Sequence, residues 1–170
     1  SNLSKVVKTV VTSAMVSAVL CSSALAAKPA KPAYQDLEIT GVLQEIVGPS
    51  LRCASKFGGT ILGFGSSPTL GKLGFVANDC ITPNGTSFTF SDGYFVITTL
   101  TGEQVYATYG GQFVPTGEGS KFVFNGATFQ ITGGTGRYFK ATGGGDLTGG
   151  EDMQTGQGTI TLKGRILLKK

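Results

Sequence analysis

Histidine and tryptophan are both absent from the 170 residues. The first absence excludes a Ser-His-Asp or Cys-His catalytic system, histidine-ligated zinc and histidine-ligated haem. Any chemistry this chain performs must come from carboxylates, Tyr, Lys, Arg, Ser, Thr or backbone groups. Charge is also scarce: 14% of residues are charged, so surface ion pairs contribute little. Apolar residues at helical spacing do not persist long enough anywhere past the first segment to make a helix. Glycine, in contrast, supplies 27 residues, more than twice the usual share of roughly 7%. The glycines follow no three-residue period and lie among regularly spaced Phe, Val, Ile and Thr, which excludes collagen and plain disorder. The length fits one domain, and a hydrophobic share of 40% is enough for a core.

Lys5 and Lys8 precede an apolar stretch from Val10 to Leu20, and Ala24-Leu25-Ala26 follows it. That order is a secretory signal with cleavage after Ala26, and the stretch is too short and too interrupted by Ser and Thr to span a membrane. Leu20 directly before Cys21 disfavours a lipoprotein signal. Removing residues 1–26 takes away Lys5 and Lys8 and lowers the net charge from +4 to +2. No basic cluster with interleaved aromatics remains, so nucleic acid is not an expected partner. Removal also discards Cys21, leaving Cys53 and Cys80 as a pair in an oxidising, secreted or periplasmic location. A disulfide is the expectation, since two thiols without histidine make a poor metal site. No metal, no cofactor and no stable membrane insertion after cleavage are expected.

Lys28 to Ala33, with two prolines, reads as an extended linker; residues 27–36 are assigned to it and 37–170 to a single domain. Strand periodicity recurs throughout that domain. Leu37 to Val47, Ser55 to Leu62 and Lys72 to Val76 are the first segments. Ser87 to Ser91 alternates strictly, Asp92-Gly93 is a hairpin signal, and Tyr94 to Thr99 follows. Leu100 to Glu103 turns into Gln104 to Tyr109, which places Val105, Ala107 and Tyr109 on one face. Gly110-Gly111 allows a sharp bend before Gln112 to Val114. Lys121 to Phe124 and Ala127 to Ile131 flank Asn125-Gly126, a tight turn or a bulge. Thr159 to Leu167 sets Ile160, Leu162 and Ile166 against Thr161, Lys163 and Arg165. Eight to ten short strands in a meander must close or stack in two layers, and short hairpin connections favour a closed antiparallel up-and-down barrel of about eight strands over a β-sandwich.

The most distinctive string runs from Ile131 to Gly143. Gly134-Thr135-Gly136 opens a dinucleotide-loop pattern, but Phe139 stands where the last glycine belongs and no amphipathic helix follows. A calcium-binding repeat around Gly143 to Asp146 occurs once, where a β-helix needs several. Read as strand, glycine turn, Arg137-Tyr138-Phe139 and a second strand at Ala141-Thr142-Gly143, the string resembles the signature of the allene oxide cyclase and dirigent barrel superfamily, and more closely its small exported bacterial relatives. The resemblance covers about 40 residues from Phe129 onward. It implies an eight-stranded barrel with a partly apolar lumen, in a group whose plant members guide cyclisation or coupling of hydrophobic small molecules. Gly133, Gly134 and Gly136 are expected to serve the turn rather than chemistry.

Three functions remain open at this point. One is a barrel that binds a hydrophobic small molecule in its lumen or is simply filled, given aromatics such as Phe88, Phe90, Phe95, Tyr109, Phe122 and Phe124 at strand positions. Another is a cofactor-free cyclase or isomerase; no catalytic residue is named, but Glu45, Glu103, Tyr106 and Arg137 are the polar groups able to bind a ligand. The third is a self-associating structural or adhesive subunit, which an unclosed edge strand would favour.

Overall fold

The computed structural model describes residues 25–27 and 33–169. The expected signal segment lies outside the described residues except for Leu25 and Ala26, which carry no regular structure; of the expected linker, residues 28–32 lie outside them, and Gln35 and Asp36 already belong to the first strand.

Alternating apolar residues and glycine-rich connections produce eight strands: β1 (Gln35–Pro49), β2 (Phe57–Ser67), β3 (Gly71–Asn84), β4 (Ser87–Thr99), β5 (Gln104–Pro115), β6 (Lys121–Gly134), β7 (Thr142–Asp152) and β8 (Gln157–Leu167). A 3-10 turn, η1 (Gly136–Tyr138), joins β6 to β7. Each strand pairs antiparallel with the next, and β1 pairs with β8 from Gln35↔Ile166 to Gln44↔Gln157. The sheet is therefore a closed barrel with no free edge.

Period-two alternation turns one face of every strand inward. Leu37, Ile39 and Leu43 of β1, Leu73, Phe75 and Ala77 of β3, and Ile160, Leu162 and Ile166 of β8 are buried in this way. Ring packing continues the core through Phe75, Phe95 and Tyr109, with Phe95 and Tyr109 centroids 4.2 Å apart. Among Ile39, Leu73, Phe75, Phe95, Ile97 and Leu162 the enclosed void is only about 10 Å³. That space is too small for a ligand.

Three glycine-containing segments, read as a hairpin turn, a sharp bend and a turn or bulge, lie inside strands. Asp92-Gly93 is not a hairpin: β4 runs through it with a register shift between Phe90 and Gly93, and Asp92 takes a φ of 51°. Gly110-Gly111 and Asn125-Gly126 likewise sit at irregularities inside β5 and β6. The physical reason is closure: a small barrel must bend its long strands sharply, and an extra residue in one strand supplies bend and twist. Disruption on three neighbouring strands curves that part of the wall, and the strand halves read from sequence merge into eight elements.

Because the strands alternate in direction, the β1–β2, β3–β4, β5–β6 and β7–β8 connections lie at one end. Cys53, in the β1–β2 connection, is disulfide-bonded to Cys80 of β3, with Cα atoms 5.4 Å apart. The bridge ties that connection to the wall. At the other end the β6–β7 connection tucks Tyr138 and Ala141 into the core.

Candidate functional site

Four polar side chains interrupt the apolar lining near the disulfide end. Glu45 follows Leu43 on the inward face of β1, Asp79 follows Ala77 on β3, and Glu151 lies on the inward face of β7 with Leu147. Tyr109 continues Val105 and Ala107 on β5. All four strands run in the same direction, so their second halves share one end of the barrel. Glu45 is 5% exposed, Asp79 1% and Glu151 5%.

Donors for these carboxyl groups are few. The Tyr109 hydroxyl donates to Asp79 Oδ2 at 2.7 Å. Both Glu45 oxygens, Asp79 Oδ1 and Glu151 Oε2 meet no donor. The contact between Glu45 and Glu151 becomes a hydrogen bond only when one of the two carries a proton, because an ionised carboxylate only accepts. Gly59 leaves room for this pair: a Cβ there would stand 2.8 Å from Glu45 Oε2.

An ionised carboxylate loses its hydration on burial, so each group holds its proton more tightly than in water. Burial is the leading cause at Glu45, with the negative charges of Glu151 and Asp79 adding to it, and its pKa is pushed up to about 9. Glu151 is raised to about 7, again chiefly by burial, although the hydrogen bond from Glu45 favours its charged form. The two carboxyl groups therefore titrate as a pair that keeps a proton above the ordinary carboxylate range. Asp79 rises to about 6 through burial, moderated by the Tyr109 hydrogen bond and the positive charge of Arg52. Tyr109 is raised by burial and by the Asp79 carboxylate beside it, and stays a donor.

The opposing wall is aromatic. Phe90 lies 4.8 Å from Phe113, Phe113 4.9 Å from Phe124, and Phe88 5.8 Å from Phe122, all centroid to centroid on β4, β5 and β6. The arrangement is a proton-holding cluster in apolar surroundings, able to donate a proton and poor at holding a cation. Among the described residues no group of three or more Cys, Asp or Glu is arranged to hold a metal ion.

Of the four polar ligand-binding candidates read from sequence, Glu45 alone belongs to this cluster. Glu103 and Arg137 lie at the opposite end, where Arg137 Nε is 3.5 Å from Glu103 Oε1 and the Arg137 N–H donates to Glu103 Oε2 at 2.6 Å. Tyr106 faces outward, half-buried, and donates to Gln104 Oε1 at 2.8 Å. The structure does not bring these four together. Gly133 and Gly134 end β6, and Gly136 opens η1 with a φ of 57°, where a Cβ would run into the Glu103 carboxylate. Asp79, Glu151 and Tyr109 were missed as site residues. Their signal is strand parity: each falls two residues after an inward apolar or small residue on an alternating strand.

The outer wall also departs from a plain polar surface. Across β1–β4, Val42 faces Phe64, Leu62 faces Val76, and Val76 faces Val96 in direct register. Phe64 is 70% exposed and Leu62 52%. These residues floor an open groove of about 860 Å³ whose polar lining is Gln44, Gln104, Gln157 and Thr98, with no charged side chain.

No family model, no curated protein and no solved structure matches the chain. Among the described residues no helix is long and apolar enough to cross a membrane.

Proposed function

We propose that the chain is an exported, non-catalytic barrel that binds an apolar small molecule on its outer wall, in the groove over β1–β4. The observation that carries this reading is the contrast between a lumen with a void of about 10 Å³ and an exposed apolar floor rimmed by uncharged amides. Ligand sites are mostly apolar with a few placed polar groups, and volumes of several hundred Å³ suit them. Exposed apolar area of this continuity marks an interaction surface. The ligand is accordingly apolar over most of its length, with a hydrogen-bonding end for Gln44, Gln104 or Gln157. Export is supported by the signal-like first segment and by the disulfide. The likeness of Gly133 to Gly143 to the allene oxide cyclase and dirigent signature supports a barrel that handles hydrophobic molecules.

Titration with the apolar fluorophore N-phenyl-1-naphthylamine, alongside native mass spectrometry, tests the reading. Binding abolished by Phe64→Ser and retained in Phe124→Leu is the expected result. The reverse pattern places the ligand in the lumen. Assembly into oligomers that Phe64→Ser dissolves, without probe binding, replaces this reading with self-association.

A second reading rests on the proton that Glu45 keeps in apolar surroundings, the condition an acid catalyst of an apolar cyclisation needs. It requires that a substrate pass the aromatic wall. Dicyclohexylcarbodiimide, an apolar reagent for protonated carboxyls, labels Glu45 in the folded chain if that route opens; an unlabelled Glu45 removes the reading.

A further inference from the structure

A second open groove, of about 880 Å³, crosses the outer wall over β4–β8 and shares no lining residue with the first. Its centre is one row of directly paired positions. Tyr94 on β4 faces Thr108 on β5, Thr108 faces Gln130 on β6, Gln130 faces Gly144 on β7, and Gly144 faces Arg165 on β8. With strands ~4.8 Å apart, the row extends roughly 19 Å around the wall. Aromatic rings stand at both ends. Tyr94 is 46% exposed and is braced by Tyr106, whose ring lies 6.4 Å away at an interplanar angle of 27°. Tyr34 is 48% exposed and is braced by the Arg165 guanidinium, 4.5 Å from its ring centroid. Between the rings the row offers a hydroxyl, an amide and the flat surface of a glycine.

The row limits what can occupy it. A peptide added as a strand needs unpaired backbone, and the closed barrel has no free edge. A phosphate chain needs a cluster of basic side chains, whereas Arg165 shares the groove with Asp92. An acyl chain would leave the Thr108 hydroxyl and the Gln130 amide without partners. What remains is a neutral, extended molecule that is rich in hydroxyl groups along its edges and in C–H groups on its ring faces. We propose that this groove binds a neutral oligosaccharide or polysaccharide chain, with Tyr94 and Tyr34 stacking on sugar rings and Thr108 and Gln130 hydrogen-bonding to sugar hydroxyls between them. Both tyrosines are already held by neighbours, so little side-chain freedom is lost on binding.

Cello-, chito- and malto-oligosaccharides, added to millimolar concentration to the disulfide-bonded chain and followed by amide NMR shifts, test the proposal. At least one series binds, Tyr94→Ala weakens it by about tenfold, and Gln130→Ala weakens it while Phe64→Ser leaves it unchanged. Amide spectra of the variants establish that each is folded. No shifts with any of the three series overturns the proposal. Binding that survives both Tyr94→Ala and Gln130→Ala, or that disappears in Phe64→Ser, overturns it equally, whatever becomes of the apolar groove.

Discussion

The carboxyl cluster makes the barrel less stable as pH rises, over a range in which many proteins are indifferent to pH. In the unfolded chain Glu45, Glu151 and Asp79 release their protons near pH 4. In the barrel they hold them to about 9, 7 and 6. Between the two values the folded state binds more protons than the unfolded one, so stability falls with pH. The cluster's contribution is fully present below about pH 4 and is lost as pH rises through the folded values, most steeply between about pH 4 and 6, where all three groups contribute. One retained proton costs about 1.4 kcal/mol per pH unit. From pH 5 to pH 8 Glu45 alone accounts for about 4 kcal/mol on that slope, and relaxation and water entry reduce this to about 2 kcal/mol.

Glu45→Gln isolates the effect. The amide fills the same space beside Gly59, can donate to Glu151, and cannot ionise. Urea unfolding followed by tyrosine fluorescence and near-ultraviolet circular dichroism, at constant ionic strength and at pH 5 and pH 8, measures both proteins. The parent loses stability between the two values, and the variant loses about 2 kcal/mol less. A parent whose stability is level or rises from pH 5 to pH 8, or a variant with the same slope, would refute the argument that the cluster is buried and proton-holding.

Tyr109→Phe removes the donor to Asp79 Oδ2 and leaves the carboxyl without a protein donor; it destabilises by about 1–3 kcal/mol, more at pH 8 than at pH 5, read from the same urea curves. Reducing the Cys53–Cys80 bridge, which spans 27 residues, lowers stability by roughly 3.5 kcal/mol on the loop-entropy estimate while far-ultraviolet circular dichroism still reports strands. Gly136→Ala places a side chain at a φ of 57° against Glu103 and lowers the thermal midpoint by an amount equivalent to about 1–2 kcal/mol. Arg137→Ala, in contrast, breaks a partly exposed ion pair and a cation–π contact 4.9 Å from the Tyr138 ring centroid, and costs about 1 kcal/mol in the same assay.

Much of the barrel was legible because period-two alternation survives in most strands, and β8 illustrates it: Ile160, Leu162 and Ile166 are buried as their spacing requires. Where reading failed, glycine was the cause. Asp92-Gly93 has the chemistry of a hairpin turn and of a bulge alike, and only the partner strand decides between them. The site was less legible for a different reason. Glu45 was singled out as a polar group able to serve chemistry, and Glu103 and Arg137 on the same ground, although one lies inside the barrel and the others at its far end. Strand parity separates them: Glu45 is in phase with Leu37, Ile39 and Leu43, whereas Glu103 precedes the first residue of β5. The same phase finds Asp79 and Glu151. Their proximity is not legible, because it depends on closure bringing β7 and β8 around to β1.

Closure also leaves the outer wall, not the lumen, as the part of this barrel open to a molecule. Eight strands enclose a space only just wide enough for side chains, and here Phe75, Phe95, Tyr109 and Tyr138 help fill it. A lumen so filled can exchange a proton with solvent but cannot take up a molecule without moving rings packed at 4.2 to 6.3 Å from one another. The wall has no such limit. Its strands are paired all the way round, so the outward side chains dominate what it attracts. An apolar floor over β1–β4 and a tyrosine-hydroxyl-amide row over β4–β8 are therefore two chemically distinct surfaces on one rigid support. The separation makes a specific demand on mutants: Phe64→Ser and Tyr94→Ala, more than one strand apart and pointing away from the core, must act independently, their combined effect on stability equal to the product of their separate effects on the unfolding constant.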